Sequence, residues 1–319
     1  METRPFGRLG HVSALTLGGG GIGNVWGSVD RAEAVATVRA ALDAGITHLD
    51  VAPTYGPGEA ELVVGEALDG DRPDGLLITT KVSLPDGPPD ELERTIERSL
   101  RESRERLRTD RVDLLLVHSQ VQPDVGSAAT VPLLSETPYR ATVRPALERL
   151  REEGAIGAWG LTAVGMTATV AAVLAEAPRP DAVQCVANAL DMTGDMWVYD
   201  DRARPDNAAV RAAAVAAGVP VIGIRAVAAG SLTDALDRDV DPGHPAARDF
   251  AAAAGFRALA AARGETAAFL AHRYALSLPD VATVVLGVKD RAELEECLAA
   301  ESAGPLTPDE LDAVHALRA

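Results

Sequence analysis

Basic side chains are scarce in this chain: 30 Lys and Arg stand against 47 Asp and Glu in 319 residues, for a formal charge of -17 and a pI near 4.8. A nucleic-acid partner needs concentrated positive surface to neutralise its phosphates, so none is expected. Cysteine is scarcer still, with Cys185 in a strand-like run and Cys297 in a helix-like one, no Cys-x-x-Cys, and no His cluster at ligand spacing. Neither a structural disulfide nor a zinc site is expected. No apolar run approaches the ~20 residues of a membrane span, and the opening Met1-Glu2-Thr3-Arg4-Pro5-Phe6 lacks the basic-then-apolar build of a signal peptide. The expectation is a cytoplasmic protein with no membrane partner.

What the chain does have is apolar content, 47% of residues, enough to bury a core in one domain over residues 1–319. Thr3 to Gly10 and Val12 to Gly20 suggest a hairpin leading into a buried strand, Ser13 to Leu17. The glycines from Gly18 to Gly21 read as a flexible loop at a strand end, since they match neither a spaced dinucleotide fingerprint nor a P-loop. From Asp30, which can cap a helix, the residues Ala34, Val35, Val38, Ala41 and Leu42 recur at helical spacing until Gly45 stops them. Strands and helices then alternate. Strand-like runs begin near residues 13, 48, 76, 113, 157, 182, 220 and 283, eight in all. Helix patterns cover Glu59 to Leu68, Asp90 to Leu107, Val143 to Glu153, Met166 to Glu176, Asn207 to Ala217, 244–277 and Arg291 to Ala299. Near-continuous apolar strands between helices imply a parallel sheet covered on both faces. Eight of them predict an α/β fold, a (β/α)8 TIM barrel with an N-terminal β-hairpin and extra helices; an open doubly wound sheet is the alternative. Ser119 to Arg140 shows no period and reads as a lid or substrate loop.

Four polar residues end these strands or begin the loops after them: Asp50, Tyr55, Lys81 and His118. Singly, each has a bland reading as a helix cap, a solvated lysine or a satisfied core histidine. Together, on the ends of strands two, three and four, they make a coherent site. An ammonium beside a phenol favours the phenolate, so Lys81 can tune Tyr55. Asp50 can hold Lys81 protonated, and His118 can donate a hydrogen bond to a carbonyl oxygen. No metal ligands and no activated Ser or Cys accompany them, so the missing reactant has to come from outside, and a nicotinamide hydride fits.

The wording Asp50-x-Ala52-x-x-Tyr55-Gly56-x-x-Glu59, followed by Gly65-x-Ala67-Leu68, resembles the signature of the aldo-keto reductases. Three later segments fit the same family in the same order. Trp159-Gly160-Leu161-Thr162-Ala163 and Val183-Gln184 resemble its nicotinamide-binding segments, with Ala163 in place of a customary amide. Val221 to Gly230 resembles the run after the seventh strand, with Ile224 or Arg225 where an aromatic residue often stacks. Leu286 to Cys297 resembles the loop and helix start that hold the adenosine phosphate, with Cys297 replacing a common Asn.

The resemblance implies Asp50, Tyr55, Lys81 and His118 as the catalytic tetrad, with Tyr55 as general acid. It implies Thr162, Gln184, Ile224, Arg225, Val227, Gly230, Gly287, Val288, Lys289, Arg291, Glu293 and Glu296 at the cofactor. Trp26, Tyr55 and His118 would face the substrate, with Trp197 or Tyr199 as further walls. The implied partner is a small carbonyl or alcohol. Lys289 and Arg291 attract a 2′-phosphate and Glu293 repels it, a balance that leans to NADPH and leaves NADH open. Helix amides at this amino end are a further expected anion site. Two other functions fit parts of the pattern: an aldolase or lyase using Lys81 as a Schiff base, and a catalytically quiet subunit that binds the cofactor.

Overall fold

The computed structural model describes all residues except 125–132, 200–203, 237–239, 242 and 319. Strands β1 (Thr3–Pro5) and β2 (His11–Ser13) pair antiparallel, Thr3 opposite Ser13, around a tight turn at Gly7–Leu9. Then come β3 (Leu15–Gly18), β4 (His48–Asp50), β5 (Leu77–Val82), β6 (Val112–Val117), the two-residue β7 (Val121–Gln122) and β8 (Leu134–Ser135), β9 (Ile156–Thr162), β10 (Ala182–Val186), β11 (Val221–Ile224) and β12 (Thr283–Leu286). Apart from β7 and β8, which pair with each other, these eight strands run parallel in a closed ring. Closure is made by β12 on β3, with Val284 opposite Leu15 and Leu286 opposite Leu17. An open sheet would leave those two strands as edges, so the doubly wound alternative is excluded.

Helices on the outside and side chains on the inside bury both faces of each strand, and all six residues of β6 are buried. The helix Pro89–Leu107 turns Leu92, Ile96, Leu100 and Leu107 to the barrel. It opens on a proline, whose missing N–H costs nothing in a first turn. Asp30, Asp206, Thr266, Asp290 and Thr307 each accept the backbone N–H three residues on and so cap their helices, a contact worth about 1 kcal/mol each. The hairpin folds under the amino end of the barrel, where Phe6 packs with Val12, Leu114, Leu116, Ala158 and Ile222. The open, carboxyl end is left for chemistry. Among the described residues, no helix is long and apolar enough to cross a membrane.

Two sequence expectations need correction. The glycine run is no flexible loop: Gly19–Ile22 is a buried helical turn, and a Cβ on Gly21 would lie 2.1 Å from the carbonyl oxygen of Val288. A run with no side chains carries no periodicity, so close packing and looseness look alike in it. The helix expected from Val143 is entered earlier, through Glu136–Pro138 and a widened turn at Tyr139–Val143. Asp124 fixes that entry by accepting the Thr137 N–H at 2.8 Å, and Asp86 accepts the Ser135 N–H at 2.7 Å. The segment read as a lid is therefore anchored on both sides; its middle lies outside the described residues. The stretch 244–277 is helical as expected, in three helices, Pro245–Ala252, Ala254–Ala262 and Ala267–Leu276.

Candidate active site

β4 ends on Asp50, β5 carries Lys81 in its last turn of pleat, and His118 follows β6, tied to β5 by its N–H to the Val82 carbonyl at 2.8 Å. Alternation along β5 sends Lys81 inward, where it is 0% exposed. Its ammonium donates to Asp50 Oδ1 at 2.5 Å and to the Val51 carbonyl at 2.9 Å. The other carboxylate oxygen, Asp50 Oδ2, accepts from Gln184 Nε2 at 2.6 Å. Tyr55 reaches the same place from the loop, its ring centroid 4.7 Å from Lys81 Nζ. The His118 ring meets it edge-on at 5.8 Å. Gly56 makes that approach possible: its φ is +63°, and a Cβ there would lie 2.1 Å from the Gly23 carbonyl. Three strands and one loop thus bring all four predicted residues together.

Burial sets the electrostatics. It works against the Lys81 charge, but Asp50 first and Tyr55 next outweigh it, and the net shift holds the ammonium above its ordinary range. Burial pushes the Asp50 carboxyl up, against the pull of Lys81 and Gln184. For His118, burial and then the Lys81 charge push the imidazole down to about 3, so it is neutral at physiological pH. One layer deeper, His48 is pushed down to about 3 by the same two causes. It bridges Thr16 Oγ1 at 2.9 Å and Thr79 Oγ1 at 2.7 Å, and Thr16 reaches on to Thr283 at 2.7 Å.

From the tetrad a cleft of about 580 Å³ runs across the carboxyl ends of β9 to β12, within the size range of cofactor sites. Asp50, Tyr55 and His118 line one end, with Thr162 and Gln184 beside them. Trp26, Ile224, Arg225, Val227, Gly230, Gly287, Val288, Lys289, Glu293 and Glu296 also line it. Thr162 Oγ1 is buried and has no hydrogen-bond partner among the described residues. That is what a site awaiting a polar ligand looks like. Arg225 stands at φ +60°, uncommon for a side chain of its size, and pairs with Asp195 at 2.6 Å.

The far end departs from two expectations. Arg291 does not line the cleft: its guanidinium pairs with Glu33 at 2.9 Å on the outer side. The helix amino end is also less open to an anion than expected, because two of its first three amides already have acceptors. Glu33 accepts the Arg291 N–H at 3.2 Å, Asp290 the Glu293 N–H at 2.9 Å, and Glu293 the Lys289 N–H at 2.8 Å. Glu293 also pairs with the Lys289 ammonium at 2.7 Å. Spacing alone did not say which face of the helix each charge takes. Trp197 and Tyr199, named as further walls, pack on each other with centroids 5.0 Å apart, and the cleft takes Asp195 and Met196 from that segment instead.

The model of the family described as "Aldo/keto reductase family" matches residues 14–319. The chain belongs to the aldo/keto reductase family. As such it is an NAD(P)-dependent oxidoreductase acting on CH–OH and carbonyl groups. The chain is 28% identical over 305 residues to L-galactose dehydrogenase of Arabidopsis thaliana, covering 94% of this chain and 88% of that protein. A solved aldo-keto reductase from Klebsiella pneumoniae, in complex with NADPH, superposes with a TM-score of 0.70 at 26% identity, over 99% and 95% of the two chains. An aldo-keto reductase from Bacillus halodurans, in its holo form, shares the fold with a TM-score of 0.71 at 22% identity, over 100% and 97%.

Sequence reasoning missed one cleft residue of this aldo/keto reductase, His272, and one beside the cleft, Gln120. His272 and Cys297 meet at the cleft's far end, Sγ to Nε2 3.6 Å. His272 sits in an alanine-rich helix, and its i−4 bond to the Ala268 carbonyl at 2.8 Å gave no readable signal. Gln120, two residues past His118, lines a second hollow of about 450 Å³ that shares His118 with the cleft. Its signal was there: a polar residue in the step after a barrel strand.

Proposed function

We propose that the chain interconverts a small carbonyl compound and its alcohol at the open end of the barrel, with Tyr55 as general acid in reduction and general base in oxidation. The observation that carries this reading is the fully buried Lys81, its ammonium 2.5 Å from Asp50 and 4.7 Å from the centre of the Tyr55 ring. A bound nicotinamide supplies or accepts the hydride. Tyr55 hands its hydroxyl proton to the carbonyl oxygen, and Lys81 stabilises the phenolate left behind. Asp50 keeps Lys81 charged, and its second oxygen holds Gln184 in place. His118, being neutral, donates its N–H to the same carbonyl oxygen without adding a charge. Thr162 and Gln184 would hold the carboxamide; the unpartnered Thr162 hydroxyl supports that placement.

For the hydride donor the proposal is NADPH at a narrow margin over NADH. Lys289 lines the cleft as a cation for the 2′-phosphate, and the Klebsiella pneumoniae relative is solved with NADPH. Glu293 has to release Lys289 first, and this ion pair favours NADH as the second reading. The same proposal takes residues 1–319 as one barrel domain acting in the cytoplasm. The test is Tyr55→Phe. Turnover of a small aldehyde should fall roughly 10²- to 10⁴-fold, the usual range for a lost general acid, while cofactor affinity measured by fluorescence titration stays within twofold. A variant with near-normal kcat removes Tyr55 from this role.

A further inference from the structure

We propose that Gln120 is a specificity-determining residue that selects a neutral, polyhydroxylated carbonyl substrate, resting on the reductase reading above. Gln120 is 8% exposed. Its amide is held one way round, because Nε2 donates to the Met196 carbonyl at 2.6 Å. That bond fixes Oε1 as the free end, and Oε1 is buried with no hydrogen-bond partner among the described residues. A buried acceptor left unpaired in the free protein is costly, and it is offset when a ligand brings a donor. The hollow that Gln120 lines begins at His118, where the carbonyl oxygen would sit, so the donor belongs to the part of the substrate beyond the reacting carbon.

The neighbours narrow the chemistry. Ser119 Oγ already accepts the Leu84 N–H at 2.7 Å, which leaves its own proton to donate. Side by side, Gln120 offers an acceptor and Ser119 a donor, a pair that matches an alcohol and not an alkyl chain. Thr54 and Ser83 add further hydroxyls to the lining. Among the described residues, no Asp, Glu, Lys or Arg lines this hollow. A carboxylate or phosphate on the substrate tail would find no counter-charge there, so an uncharged sugar-like compound fits and a sugar phosphate does not.

The experiment compares glyceraldehyde with propanal, the same carbon chain with and without hydroxyls. Wild-type kcat/KM should favour glyceraldehyde by roughly ten- to hundredfold, as for a site built to bond a hydroxyl. Gln120→Leu should erase most of that preference by slowing glyceraldehyde, with propanal within about twofold of wild type. Retained propanal turnover certifies that the variant is folded and loaded. Independently of any variant, erythritol should inhibit propanal reduction by the wild type competitively. Equal losses on both aldehydes, equal wild-type rates, or no inhibition by erythritol would overturn the assignment of Gln120. If neither aldehyde turns over with NADH or NADPH, the reductase reading fails and this inference goes with it.

Discussion

Two lysines occur among the 30 basic residues of this chain: Lys81, buried against Asp50, and Lys289, which lines the cleft. Everywhere else the chain uses arginine, whose wide, always-charged fork cannot replace a compact ammonium inside a barrel. That bias was readable in the sequence, as were Asp50, Tyr55 and His118, because strand-end polar residues stand out against apolar runs. Arg291 misled for the opposite reason: the pattern fixes a helix but not which neighbour a long charged side chain reaches, and here it reaches Glu33. Under the proposed function Lys81 acts as an electrostatic tuner, so borohydride added with an aldehyde should leave no adduct on it; a trapped imine on Lys81, found by mass spectrometry, would restore the aldolase reading. Lys289 is the second case. Glu293→Gln should tighten NADPH several-fold by releasing Lys289 while keeping an acceptor for its N–H, with NADH hardly changed, and Lys289→Ala should weaken NADPH alone. Exposed ion pairs contribute only ~0.2 to 1 kcal/mol, so the effects are modest. Equal changes for both cofactors in a fluorescence titration would mean that this pair does not read the 2′-phosphate.

Elements with a period were legible, and elements without one were not. The amphipathic spacing of Leu92, Ile96 and Leu100 announces its helix, and the alternation of such helices with apolar strands announces the barrel. The turn Gly19–Ile22 announced nothing, yet it positions one wall of the cleft. Gly21 lets this turn press against the backbone at Val288, and a Cβ on Gly20 would lie 2.4 Å from Trp26 Nε1. Gly21→Ala inserts a methyl group into main-chain atoms that cannot rotate away. Such overpacking costs typically ~1 to 3 kcal/mol. Because the displaced backbone at Val288 lines the cleft, cofactor affinity should fall along with the melting temperature. A variant that melts early but binds cofactor normally would show that the close approach serves stability alone.

At the scale of the whole barrel, the ring of eight strands could be counted from sequence, but what fills its centre could not. His48 looked like a strand residue beside Asp50; inside the ring it links Thr16 and Thr79 beneath the Lys81 charge, with its ring 5.8 Å from Phe6 at the closed end. This has a consequence for stability against pH. His48 and His118 titrate at about 3 in the fold and near 6.5 in the unfolded chain. Between those values the unfolded chain binds protons that the fold refuses. Stability is therefore fully present above about pH 6.5 and is lost as the pH falls through the window, by about 1.4 kcal/mol per pH unit for each histidine. His272, also lowered chiefly by burial, acts in the same direction. Asp50 opposes them, since its carboxyl is raised and keeps its proton in the fold when the unfolded chain has released it. Urea midpoints taken from pH 7.5 to 4.5 should fall more steeply in the wild type than in His48→Asn. That variant should be less stable at pH 7, having lost bonds to Thr16 and Thr79, yet closer to the wild type at pH 4.5. Parallel slopes would mean that the barrel tolerates a charged His48, and that the threonines around it, with water, solvate an imidazolium one layer below Lys81.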